Sequence, residues 1–364
     1  MSLAVNIRRS LIASATLLLV ACGGSGGGAN PGNSSSSTDV GSASLTGAGA
    51  TFPEPFYTKA FYAYNQAHSS VTVNYQSVGS GAGIKQYTAG TVDFGASDVP
   101  MNADEIAGAG GADSLVQFPT TLGVVSIAYN LPDVQKLQLD GPTITNIFLG
   151  KVKKWNDASI TALNSGVTLP NKDIAVVHRS DGSGTTYAFT DYLSKQSEEW
   201  KSKVGTSKSV QWPAGVGASG NTGVANGVKQ AEGGIGYVEL AYVVQTKMQQ
   251  AYVKNKAGKF LQASTEGANA AAAAATGISP TNFSIVDQTG DKSYPITTFS
   301  WVIVKKDQKD AGKGKALLNL FKWLVTDGQS QGTDLQYAPL PKPVADLATT
   351  NLKTVTSGGT PILK

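Results

Sequence analysis

The chain predicts an α/β architecture with mainly parallel sheets, divided into two domains. Three observations carry this. Short apolar runs of strand character alternate with runs of helical period along most of the length. About 320 residues remain once the N-terminal segment is set aside, more than a single hydrophobic core comfortably holds. The same local grammar, a strand, a Gly/Ser/Thr loop and then a helix, recurs three times.

The first copy runs from Ser44 to Phe56. A short strand meets the turn Gly47-Ala48-Gly49-Ala50-Thr51, Pro53 suits the first turn of a helix, and Phe56, Ala60, Phe61 and Tyr64 follow at helical spacing. The second copy begins with Val71-Thr72-Val73-Asn74-Tyr75, which alternates as a strand does. Gly79-Ser80-Gly81-Ala82-Gly83 follows, and Ile84 to Tyr87 read as helix. Next, Thr91 to Ser97 alternate as a strand that delivers Asp98 at its end. In the third copy the apolar run Ile174 to Val177 reads as a buried strand. The loop Arg179-Ser180-Asp181-Gly182-Ser183-Gly184-Thr185 follows it. Tyr187, Ala188, Phe189, Tyr192 and Leu193 then mark one helix face.

That third loop carries the most chemistry. Free N–H groups at a helix start, two hydroxyls and a guanidinium converge on a small space, and glycines let the backbone approach a ligand closely. The motif reads either as an oxyanion receptor or as a tight turn with a helix cap. It is not a P-loop, because no Lys follows Gly184. It is not a nucleophile elbow, because Asp181 stands where that motif needs its first Gly. Three copies of the grammar suggest several helix N-termini aimed at one anion. Asp98 has two readings. It can cap a helix over Met101–Ile106. It can instead accept a proton from an anion that carries one, as hydrogen phosphate does and sulfate does not.

The N-terminus reads as a targeting segment. Arg8 and Arg9 precede the apolar run Leu11 to Val20, which is too short for a bilayer core that needs roughly 20 residues. Leu19-Val20-Ala21-Cys22 reads as a lipobox, with Cys22, the single cysteine, lipidated. Residues 1–21 are then a lipoprotein signal peptide and 22–41 a Gly/Ser-rich tether. The formal charge is +4, or +2 for 27 basic against 25 acidic residues once residues 1–21 are removed. With no basic run, nucleic acid is not an expected partner.

In combination, the stretches SLTGAGATFPEPFY, VNYQSVGSGAGIKQ, TVDFGASDVP, FLGKVKKWND, IAVVHRSDGSGTTYAFTDYL and GGIGYVELAY resemble the phosphate-binding proteins of bacterial high-affinity phosphate ABC transporters. The likeness runs from about Ser42 to near the C-terminus. It implies a type II periplasmic-binding-protein fold, with two α/β domains joined by a two-crossing hinge and the ligand cleft between them. The crossings are expected near Phe118-Pro119-Thr120 and Tyr294-Pro295-Ile296. Domain I would comprise 42–118 and 295–364, and domain II 119–294. Carried over position by position, the family's phosphate ligands fall on Thr51, Phe52 (through its N–H), Ser80, Asp98, Arg179, Ser183, Gly184 and Thr185. Asp181 falls where the family pairs an acid with the arginine. Gly81 and His178 depart from the common pattern, and the run Ala270–Ala275 is unusual.

The resemblance further implies a monomer in the cell envelope that delivers inorganic phosphate to permease subunits driven by a cytoplasmic ATPase. Neither a cofactor nor a metal is expected. The rival readings are a phosphatase or esterase using Ser183 or Ser80, which needs an activating base or a metal, a binder of another tetrahedral oxyanion, and an extracytoplasmic structural or adhesive lipoprotein on the same fold. The only histidines are His68, in a polar turn, and His178, at a strand end, and both read as structural. Trp155, Trp200, Trp212, Trp301 and Trp323 read as core or hinge packing.

Overall fold

The computed structural model describes residues 40–364. The expected signal peptide, Cys22 and all but the last two residues of the tether lie outside the described residues. The class is α/β, as expected, but the strands are not mainly parallel throughout. One nine-stranded sheet runs in the order Val71–Ser77, Ala43–Gly49, Phe94–Ser97, Thr297–Lys305, Leu115–Tyr129, Gly234–Glu239, Ala175–Arg179, Val216–Ala218, with Gln249–Gln250 paired beside Leu115–Tyr129. Its flanks are parallel, as βαβ crossovers require. Its centre is antiparallel: Thr297–Lys305 runs against both its neighbours, and Leu115–Tyr129 runs against Gly234–Glu239. The middle strands carry the chain between the two flanks, so they meet their neighbours head to tail.

Leu115–Tyr129 is fully buried over its 15 residues, including the polar Gln117, Thr120, Thr121 and Ser126. Its register changes partner midway. Leu115 to Val124 pair with Thr297–Lys305, and Val125 to Tyr129 pair with Gly234–Glu239. Val125 N–H also donates to Ile296 O at 2.8 Å, so the long strand changes partner where Thr297–Lys305 begins.

All three strand–loop–helix copies form. Ala43–Gly49 leads to the helix Glu54–Ala67, whose buried face includes Phe56, Ala60, Phe61 and Tyr64. Pro53 occupies the cap position just ahead of that helix. Val71–Ser77 leads to Ser80–Thr88, and Ala175–Arg179 to Gly184–Gln196. In the last helix Ala188, Phe189, Tyr192 and Leu193 are buried. The strand before Asp98 is shorter than alternation suggests. It spans Phe94–Ser97 with all four residues buried, because it lies inside the sheet between two neighbours.

Aromatic clusters hold each flank. On one, Phe94 meets Phe321 edge-on at 4.9 Å between ring centroids. On the other, Phe189 stacks on Tyr237 at 4.3 Å. Burying each such side chain contributes about 1.5–3 kcal/mol. Trp155, Trp200 and Trp301 are fully buried, while Trp212 and Trp323 are partly buried against the same core.

Candidate functional site

The end of strand Ala175–Arg179 delivers Arg179, 3% exposed, to the mouth of the following helix. Its backbone N–H donates to Tyr237 Oη at 3.0 Å. Its guanidinium grips Asp181 twice, Nε to Oδ1 at 2.7 Å and Nη2 to Oδ2 at 2.5 Å. Asp181 Oδ1 also accepts from Gly220 N–H at 3.0 Å. Burial works against the Asp181 charge. The hydrogen bonds and charge of Arg179 outweigh it and hold the carboxyl below its ordinary value. This bidentate fork fixes the guanidinium plane, so Asp181 does more than cap a turn. Arg179 Nη1 then faces Thr185 Oγ1 at 3.4 Å.

Ser183 caps the helix Gly184–Gln196 by accepting from Thr186 N–H at 3.1 Å. The turn reading of this loop is thus correct at Ser183, and it coexists with the convergence of donors. Gly184 has no room for a side chain, since a Cβ there would lie 2.4 Å from Asp98 Cβ and 2.7 Å from Asp98 N. Gly79 is similarly constrained. Its φ is +91°, and a Cβ would lie 2.3 Å from Asp181 Oδ2.

The opposite wall comes from the other flank. Ser80 Oγ accepts from Gly184 N–H at 3.0 Å and from Asp98 N–H at 3.3 Å. Thr51 Oγ1 accepts from Asn221 N–H at 3.1 Å and from Asn221 Nδ2 at 2.9 Å. Asn221 Nδ2 also donates to Thr185 Oγ1 at 3.3 Å. Tyr242 Oη donates to the Thr51 carbonyl at 2.5 Å, and Tyr337 Oη to the Phe52 carbonyl at 2.6 Å. Gly81 N–H bonds Gly182 O at 2.9 Å, and Lys208 pairs with Glu105 across the same junction. The strand-end segments of both flanks are therefore in direct contact, and Thr51, Phe52, Ser80, Asp98, Arg179, Ser183, Gly184 and Thr185 share one neighbourhood.

Asp98 is 2% exposed. Ser300 Oγ donates to its Oδ1 at 2.6 Å. Burial raises its carboxyl to about 7, against the pull of Ser300, the Arg179 charge and the Thr185 N–H. The cap reading fails, because the helix after it is Ala103–Gly108 and Asn102 caps it in a reciprocal box with Glu105. Asp98 is an inward-facing acid held by groups from two other segments. His178 stacks on Trp212 at 4.7 Å and 15°, and burial lowers its pKa. It is a packed aromatic partner.

Sequence reasoning missed Asn221, Tyr242, Tyr337, Ser300 and Glu239. Asn221 opens the helix Gly220–Gln230 after a three-residue strand, Val216–Ala218, too short to show a period. GGIGYVELAY, already noted as a motif, contains Glu239 and Tyr242 and was the available signal for them.

The fold and the convergence of loops at strand ends define a class, and the comparisons agree. Residues 33–327 match the PBP superfamily domain. The chain is 47% identical over 304 residues to phosphate-binding protein PstS of Xylella fastidiosa (strain 9a5c), covering 82% of each chain. It is 44% identical over 315 residues to phosphate-binding protein PstS of Haemophilus influenzae, covering 85% of this chain and 93% of that one. Among solved structures, a high-affinity periplasmic phosphate-binding protein (PfluDING) bound with phosphate aligns with TM-score 0.67 at 20% identity, over 86% of this chain and 99% of that one. The chain belongs to the PBP superfamily and, within it, to the family of the phosphate-binding proteins PstS.

Proposed function

We propose that the protein binds inorganic phosphate outside the cytoplasm and delivers it to an ABC-type import permease. The observation that carries this reading is the buried acid Asp98 set among donors: Ser80, Arg179 and the N-terminus of helix Gly184–Gln196. A receptor for a fully deprotonated anion has no use for an inward-facing carboxyl. Hydrogen phosphate brings its own proton, and the carboxylate accepts it.

In this reading the ligands are Thr51, the Phe52 N–H, Ser80, Asp98, Arg179, Ser183, Gly184 and Thr185, with Asp181 orienting Arg179. Hydroxyls and N–H groups that now bond one another, such as Ser80 with Gly184, would turn to the phosphate oxygens. Charge-assisted bonds contribute about 1.5–3 kcal/mol each, and micromolar affinity needs about 8 kcal/mol, so eight such groups suffice even after the cost of ordering them. One lobe comprises 42–118 with 295–364 and the other 119–294. The partner change at Val124–Val125 favours a first crossing slightly inside the second segment. The protein works as a monomeric, lipid-anchored carrier in the cell envelope, held through Cys22, and not as an enzyme. Ser80 and Ser183 accept helix N–H groups, and His178 is committed to Trp212.

The test is calorimetric titration of phosphate and sulfate on protein stripped of ligand, with Arg179→Ala as control. Phosphate should bind at micromolar concentration or below, and sulfate weaker by two or more orders of magnitude, because like-charge repulsion in a water-poor cleft reaches several kcal/mol. Arg179→Ala should weaken both anions. Equal affinity of the wild type for the two anions would overturn the reading.

A further inference from the structure

Glu239 is the last residue of strand Gly234–Glu239 and caps the helix Leu240–Thr246. It sits opposite Val125, where the long central strand changes partner. It is 0% exposed, and no basic side chain pairs with it among the described residues. Its Oε2 accepts from Ala241 N–H at 2.8 Å and lies 3.1 Å from Tyr337 Oη, while its Oε1 is buried without a hydrogen-bond partner.

Counting protons decides its state. Tyr337 Oη has two oxygen neighbours, the Phe52 carbonyl at 2.6 Å and Glu239 Oε2 at 3.1 Å. A phenol carries one proton, and a carbonyl carries none. Two oxygens 2.6 Å apart need a proton between them, so the Tyr337 proton belongs to Phe52. The Glu239 contact then lacks a donor unless the carboxyl supplies it. Leaving Oε1 unpartnered is also tolerable on a neutral acid and severe on a carboxylate.

We propose that Glu239 is a protonated positioning residue: as a neutral acid it donates to Tyr337 Oη, leaves the tyrosine proton to the Phe52 carbonyl, and so anchors Phe52 on its C-terminal side, steadying the preceding Thr51–Phe52 peptide whose N–H faces the ligand. The last step rests on the phosphate-binding reading; the protonated link does not. The surroundings agree. Burial pushes Glu239 well above its ordinary value, and the Asp98 charge adds to this, while the Ala241 and Leu240 N–H groups and Tyr337 oppose it. The other ionisable groups around the link are Tyr242, on the helix that Glu239 caps, and Glu54, bonded to Tyr242 from helix Glu54–Ala67. The nearest strong cation of the site, Arg179, is engaged by Asp181.

Infrared difference spectroscopy, wild type against Glu239→Gln near neutral pH without phosphate, reads the proton directly. The wild type should show the C=O stretch of a protonated carboxyl that the variant lacks; a carboxylate signal in its place overturns the proposal. Phosphate titration reads the positioning. Oε2 makes both contacts, so a Gln NH₂ in its place keeps the donation to Tyr337 but not the Ala241 bond; Glu239→Gln should therefore lose about threefold in phosphate affinity, and Glu239→Ala about tenfold or more. Full affinity in Glu239→Ala overturns the positioning role. Should the Glu239 variants fail to fold, Tyr337→Phe removes the acceptor and must shift the carboxyl band; an unmoved band is equally fatal. A protonated-carboxyl band without any phosphate binding supports the link and refutes the phosphate reading alone.

Discussion

Replacing Asp98 by Asn should reduce the loss of stability that rising pH causes. The ordinary value for this carboxyl is 3.8, and burial raises it to about 7. Between those values the folded chain keeps a proton that the unfolded chain has released. The stability this proton confers is fully present below about pH 4 and is lost as pH rises through about 7. Three pH units at about 1.4 kcal/mol each amount to roughly 4 kcal/mol. Asn never ionises, so the variant lacks this dependence. It keeps an oxygen for the Ser300 hydroxyl, but turning an NH₂ toward a donor such as the Thr185 N–H costs about 1–3 kcal/mol at every pH. Urea unfolding of phosphate-free protein from about pH 4 to about pH 9 checks this. The wild type should be the more stable at the acid end, and its advantage should shrink by several kcal/mol toward the alkaline end. Parallel stability curves would refute the idea that Asp98 is an acid held against its charge. Calorimetry on the same two proteins tests selectivity: sulfate discrimination should fall clearly in the variant, and phosphate affinity should change less.

Gly184→Ala should abolish tight phosphate binding, because its Cβ would lie 2.4 Å from Asp98 Cβ and 2.7 Å from the Asp98 backbone N; titration that gives wild-type affinity would contradict the observed approach. Phosphate should favour the state in which the two flanks touch through Gly81–Gly182 and Lys208–Glu105, so small-angle scattering should show compaction on loading; an unchanged radius at saturation would count against closure. Cys22→Ala should release the protein from membranes without altering phosphate affinity, as fractionation and titration would show.

Much of this was legible in the chain because local rules and tertiary needs coincide. Gly79, Ser80 and Gly184 sit where turn chemistry and close approach both demand small residues. Asp98 was legible only as one of two readings, because an acid at a strand end can cap the next helix as well as face a ligand, and only the structure shows Asn102 taking the cap. Other features answer to the third dimension alone. The strand before Asp98 begins at Phe94 and not Thr91, since its ladders with both neighbouring strands start at Phe94. Nothing local in Asn221, Ser300 or Tyr337 announces that they meet Thr51, Asp98 and Phe52, which lie 170, 202 and 285 residues away in sequence. The antiparallel centre of the sheet is likewise invisible to periodicity, because buried parallel and antiparallel strands share one apolar pattern.

The order of synthesis gives the return strand Thr297–Lys305 a further meaning. Strand Phe94–Ser97 has no partner on its inner side until this strand arrives, and Asp98 waits for a hydroxyl made 202 residues later. The 175–239 flank, with Arg179 and the Gly184 helix, can assemble earlier from contiguous chain. A nascent or truncated chain ending before residue 297 would thus have the Arg179 flank in place while Asp98 lacked the Ser300 hydroxyl and the strand beside it. The surroundings of Asp98 are therefore the last part of this region that synthesis can complete.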